Sequence, residues 1–142
     1  MSGEKEIPEL FHWNSTYSVG INTFDSQHRG LVGLINEFHM AMVSGRSKEI
    51  MEYVLERLVK YSQEHFATEE HVLAAHAYYG LEVQRYQHRK FVEAIERFQR
   101  DYREGKVVPT VDGMFFLKDW LKNHLIGTDQ KYMPFLKEKG LS

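Results

Sequence analysis

"INTFDSQHRGLVGLINEFHMAM", residues 21–42, decides the fold. Ile21, Phe24, His28, Leu31, Ile35, Phe38 and Met42 follow one another at alternating intervals of three and four. Successive residues of an α-helix turn by about 100°, so these intervals hold the side chains on one stripe. The stripe is apolar except at His28. Asn22 is the expected N-cap, and "SGRS" at 44–47 is the expected break.

Three more stripes follow. Val54, Leu58, Tyr61, His65, Glu69, Val72 and His76 form one that stops before "YYG". Gln84, His88, Phe91, Ile95, Phe98 and Tyr102 form the next, which ends at Gly105. After "VVPTVDG" come Leu117, Trp120 and His124, then a skip of five residues to Asp129, then Tyr132 and Leu136. Helices are therefore expected at about 22–43, 48–76, 83–104 and 112–137, behind an aromatic N-terminal arm over 1–20 that contains "LFHWNSTYSVG". Short connections favour antiparallel neighbours, so the expectation is an all-α, up-down-up-down four-helix bundle. No internal repeat appears, and a single domain over 1–142 is expected.

Composition narrows the chemistry. Hydrophobic residues at 42% and charged ones at 27% read as a soluble globular chain. A net charge of −2 without a basic run gives nucleic acid nothing to bind. No segment has the length of a membrane span, so no membrane partner and a cytoplasmic location are expected. The chain has no cysteine, which excludes disulfides, thiolate metal sites and cysteine nucleophiles.

Polar residues stand on each apolar stripe, and burying an ionisable group is costly unless it is paired or bound to metal. One histidine on such a face reads as a hydrogen-bonded core residue. Topology argues against four independent cases. In an up-down-up-down bundle, the start of helix one, the end of two, the start of three and the end of four share one end. His28, His65, Glu69, Gln84, His88, His124 and Asp129 all fall at that end. His12, His39, His71 and His76 fall elsewhere and are assigned structural or surface roles. Four imidazoles and two carboxylates without sulfur suit iron, manganese or zinc. They exceed one ordinary site, whereas Glu69 and Asp129 can each offer one oxygen to each of two ions. Five steps separate His124 from Asp129, which is roughly 140° on an ideal helix. The two can share a site only if the backbone widens or breaks at 126–128, around Gly127 and Thr128.

The motifs "W...Y.VGI...D.QH", "HF..EE", "H..F" after Tyr86 and "WL..H....D..Y" together resemble the hemerythrin family, specifically its stand-alone bacterial members. The resemblance spans nearly the whole chain. It implies a four-helix bundle with a non-haem di-iron centre that binds molecular oxygen reversibly, for storage, delivery or sensing, and not an enzyme. By resemblance, His28 and His65 would hold the iron with the open position, and His88 and His124 the other. Glu69, Asp129 and an oxo or hydroxo group would bridge the two irons. Leu31, Phe66, Trp120 and Leu125 match an apolar oxygen pocket, and they read equally well as plain core. The departure is Gln84, where the family expects a third histidine on the second iron. A glutamine there can ligate weakly through its oxygen, hydrogen-bond a water, or leave the second iron loosely held. A more open second iron leaves a di-iron enzyme of oxidase, peroxidase or nitric-oxide chemistry as an alternative, and a metal-poor helical binding module as another.

Overall fold

Local chemistry starts and stops each helix. In the computed structural model, which describes residues 9–142, α1 spans Asn22–Val43, α2 Lys48–Ala75, α3 Leu81–Arg103 and α4 Val111–Asn123. The charged start of the chain, residues 1–8, lies outside the described residues. Ser47 opens α2 by accepting from the Ile50 N–H at 3.3 Å, and Thr110 opens α4 by accepting from the Gly113 N–H at 3.1 Å. At α1 the structure departs from expectation. Asn22 is already helical, and Ile21 occupies the cap position with no side-chain bond. Asp25, one turn inside, reaches back to accept from the Val19 N–H at 2.8 Å and the Ser18 hydroxyl at 2.5 Å. A carboxylate is favoured near the positive end of the helix dipole, and this one ties the preceding segment to the start of α1 while the first-turn N–H groups receive no side-chain cap.

α1 packs against α2 and α4, and α2 packs against α3, giving the four-helix bundle; no strand occurs among the described residues. Gly30 lets α1 and α2 approach closely. A Cβ at Gly30 would stand 2.5 Å from the Tyr61 ring carbon that carries the hydroxyl. No helix among the described residues is long and apolar enough to cross a membrane.

The arm is tied to the bundle at Asn36. Its side-chain oxygen accepts from the Phe11 N–H, and its amide donates to the Phe11 carbonyl, both at 2.8 Å. That pair of bonds lets Phe11 sink to 1% exposure without stranding its backbone.

The fourth stripe is not one helix. After α4 the backbone widens into a π-helix over His124–Thr128, in which the Asp129 N–H donates to the His124 carbonyl. A 3-10 turn over Asp129–Tyr132 and a short α5 over Met133–Glu138 follow. The widened turn expected at 126–128 is therefore present and starts two residues earlier.

Two apolar clusters result. One fills the body of the bundle, and the other, with Phe24, Leu73, Tyr132 and Leu136, closes one end. The polar seam residues lie between them. His28 falls between Phe24 and Leu31, Glu69 between Phe66 and Leu73, and Asp129 between Leu125 and Tyr132.

Replacing Asn36 with Ala leaves the Phe11 amide and carbonyl without partners. A loss of about 1–3 kcal/mol is expected by urea unfolding, since a buried backbone group stranded in this way costs that much. Faster protease cleavage of the arm should accompany it.

Candidate metal centre

Four helices bring the seven polar seam residues together, and all are buried: His28, Glu69 and Asp129 at 0%, Gln84 at 1%, His65 and His88 at 2%, and His124 at 3% exposure. His12 and His71 are exposed, and His39 and His76 are half-buried outside the cluster.

The carboxylates stand at the centre. Glu69 Oε2 lies 3.2 Å from His28 Nε2 and 3.4 Å from His65 Nε2, while its Oε1 lies 3.0 Å from His88 Nε2. Asp129 Oδ2 lies 3.2 Å from His28 Nε2, and Oδ1 lies 2.9 Å from His124 Nε2. Each carboxylate thus spans both histidine pairs, with one oxygen toward each. The widened turn makes this reach possible for Asp129, five residues beyond His124.

All four imidazoles turn Nε2 inward. Three are fixed from outside through Nδ1: His65 to Gln27 Oε1 at 2.6 Å, His88 to Glu70 Oε2 at 2.8 Å, and His124 to Gln87 Oε1 at 2.6 Å. Gln87 Oε1 also accepts from the Thr128 hydroxyl at 2.9 Å. With Nδ1 donating to these oxygens, each neutral Nε2 carries a lone pair. His88 Nε2 and His124 Nε2 nevertheless face each other at 3.1 Å. Two lone pairs at that distance require a proton or a cation between them. His65 Nε2, Glu69 Oε1, Asp129 Oδ2 and Gln84 Oε1 are buried with no hydrogen-bond partner, a set of inward donors that suits metal ions and fits poorly with a sealed core.

Without metal, protons carry the balancing charge. Burial opposes the charged form of His28, yet hydrogen bonds and charge from Asp129 and Glu69 outweigh it and push its pKa up to about 9. Burial is likewise outweighed at His88 by Glu69 and Glu70, again to about 9. Burial prevails at His65 and lowers its pKa. Against burial, His28, His65 and His88 hold Glu69 well below the ordinary carboxylate range; against burial and the Glu69 charge, His124 and His28 hold Asp129 below it. Burial, with the charges of Glu69 and Asp129, pushes the Tyr132 phenol well above its usual value, so its O–H stays protonated and donates to Glu69 Oε2 at 2.9 Å.

Aromatic rings cover the cluster. Phe66 stacks on His88 at 3.9 Å and lies 5.6 Å from His65, and Trp120 stacks on His124 at 4.7 Å. Leu31 and Leu125 are fully buried in the same apolar cluster. Phe66 and Trp120 therefore stack on the His88–His124 pair, whereas the expected oxygen pocket lay over the pair His28–His65. The sequence reading did not single out Gln27, Glu70, Gln87 and Tyr132. The available signal was adjacency: Gln27, Gln87 and Glu70 are immediate neighbours of His28, His88 and Glu69.

A helical bundle with a buried His/Glu/Asp cluster at one end is a cation-binding protein by fold and donor set. The family described as "Hemerythrin HHE cation binding domain" matches residues 19–136, and the chain belongs to the hemerythrin family. It is 30% identical over 127 residues to a myohemerythrin of Theromyzon tessulatum, covering 89% of this chain and 94% of that one. A bacteriohemerythrin of Stenotrophomonas maltophilia is 27% identical over 128 residues, covering 90% of this chain and 82% of that one. The crystal structure of a wild-type hemerythrin superposes with a TM-score of 0.83 at 25% identity, over 88% of this chain and 96% of that one.

The raised pKa values fix a sign. In the metal-free chain, His28 and His88 favour folding while charged, so their contribution is complete below pH 6.5 and is lost as pH rises through about 9. The metal-free protein should lose on the order of 3 kcal/mol per group across that window in denaturant titrations. Metal uptake displaces those protons, so apparent metal affinity should rise over the same window. Calorimetry at pH 7.5 in buffers of different ionisation enthalpy should register the released protons. Metal binding without proton release would contradict the charged assignment.

Proposed function

We propose that the chain holds two iron ions at this cluster and binds molecular oxygen reversibly, for storage, delivery or sensing. One observation carries the reading: each of two buried carboxylates turns one oxygen toward the His28–His65 pair and the other toward the His88–His124 pair. In this reading His28 and His65 hold one ion, His88 and His124 hold the other, and Glu69 and Asp129 bridge them. An oxo or hydroxo group would complete the bridge, as family membership implies. Iron is inferred from family membership, since imidazole and carboxylate donors suit several first-row metals. Bound as a pair, the two ions would supply the electrons for reversible oxygen binding.

The protein's own part is orientation and exclusion. Gln27, Glu70 and Gln87 hold three imidazoles with Nε2 inward, which fixes tautomer and ring plane before metal arrives. The Tyr132 O–H keeps a proton at Glu69 Oε2 and fixes that carboxylate. Phe66, Trp120, Leu31 and Leu125 keep bulk water from the cluster, which restricts the proton supply that oxidation side reactions need.

The test is oxygen titration of the reduced, iron-loaded protein. An absorption band that forms in oxygen and vanishes under vacuum is expected, with two irons per chain. Immediate irreversible oxidation with turnover would identify an enzyme instead, and well under one iron per chain would identify a helical binding module. Replacing Tyr132 with Phe removes a hydrogen bond to a charged acceptor, worth about 1.5–3 kcal/mol. Weaker iron retention against a chelator is the expected result.

A further inference from the structure

The four inward imidazoles are held from outside by unlike groups. His65 and His124 each turn Nδ1 to an amide oxygen, of Gln27 and of Gln87. His28 Nδ1 is buried with no hydrogen-bond partner. His88 meets a carboxylate instead, Glu70 Oε2 at 2.8 Å. Among the described residues, no other of the four has an ionic partner from outside the cluster. The second Glu70 oxygen, Oε1, faces Arg85 Nε at 3.6 Å, and Arg85 also donates to Glu82 Oε1 at 2.5 Å. A chain of charge thus runs from the exposed Arg85 through the half-buried Glu70 to the buried ring of His88. All three line one surface cleft between α2 and α3.

The group behind a ring sets how strongly that ring donates. An imidazole whose Nδ1–H points at a carboxylate is a more basic ligand at Nε2, because an ionised acceptor draws the proton harder than a neutral one. The His28–His65 pair has one amide acceptor between them, whereas the His88–His124 pair has an amide and a carboxylate. Resting on the di-iron reading above, we infer that Glu70 is a positioning residue that tunes the centre through His88: its charge makes the His88–His124 ion the more easily oxidised of the two. In that reading both ions supply electrons to oxygen, and the half with the stronger donors yields its electron at lower cost. Arg85 pulls on Glu70 from the solvent side and moderates the effect. Its influence is the smaller one, since an exposed ion pair is weak and screened. Second-shell hydrogen bonds of this kind change metal affinity by about 10–100-fold, enough to separate the potentials of two otherwise similar ions.

Anaerobic potentiometric titration of the iron-loaded full chain, followed by absorbance, reads the two one-electron midpoints. Glu70→Gln keeps an acceptor for His88 Nδ1 and removes the charge. It should cut the preference for ferric over ferrous iron about tenfold in one ion, raising the lower midpoint by about 59 mV and leaving the upper one in place. Gln27→Glu puts a charge behind His65 and should lower the upper midpoint by a similar amount. Arg85→Ala should move the lower midpoint further down, by less than tenfold. A role confined to holding the ring would leave both midpoints unchanged in Glu70→Gln, and that result overturns the inference. Equal shifts of both midpoints overturn it too, because the charge would then act on the cluster as a whole. If Glu70→Gln retains too little iron to titrate, the opposite outer variants decide: no shift in either Gln27→Glu or Arg85→Ala is the overturning result. Iron content of the unaltered chain separates the two failures. With two irons per chain and unmoved midpoints, only the role of Glu70 is lost. With less than one iron, the di-iron reading fails first.

Discussion

Glu69 and Asp129 are two carboxylates with no solvent exposure, each within reach of both histidine pairs. Removing one carboxylate from water costs several kcal/mol even after the protein relaxes, and a second beside it adds repulsion. Every polar group around them answers that charge. In the metal-free chain the compensation is two protons, held by His28 and His88 against the burial that would otherwise neutralise them. His65, where burial prevails, does not contribute. Divalent cations at the same positions replace the protons with a larger positive charge, which is why the donor set favours metal.

The backbone answers the same constraint. A straight fourth helix would turn Asp129 away from His124 and bury neither carboxylate oxygen usefully. The i-to-i+5 hydrogen bond from the Asp129 N–H to the His124 carbonyl inserts one extra residue in that turn and brings both side chains to the cluster. The cost is a helix that cannot resume directly; a 3-10 turn intervenes before α5. Tyr132 lies in that turn, and its hydroxyl lands on Glu69, so the repair of the helix also supplies a donor to the carboxylate of another helix.

The bundle and the convergence of the seven positions were legible because both follow from period. Seams at intervals of three and four define helices, and short connections set which ends meet. The interval from His124 to Asp129 even exposed the widened turn, since no regular helix satisfies it. What stayed hidden were groups off the seam. Gln27, Glu70 and Gln87 each sit one residue from a seam position, where a polar side chain reads as a solvated face. Their role depends on rotamers that turn inward across a helix boundary. Asn22 is not the cap because the helix already includes it and Ile21 takes the cap position.

Gln84 shows how donor type, beyond position, sets what a site admits. An imidazole there would present one nitrogen and fill a coordination place. An amide presents a donor and an acceptor at once, and a neighbouring carboxylate claims the donor. Asp129 thereby gains a second partner on the oxygen that also faces His124. The contact falls on the His88–His124 half of the cluster, beside the widened turn. Gln84, acting through a shared carboxylate, is thus one source of difference between two halves that also differ in their aromatic neighbours.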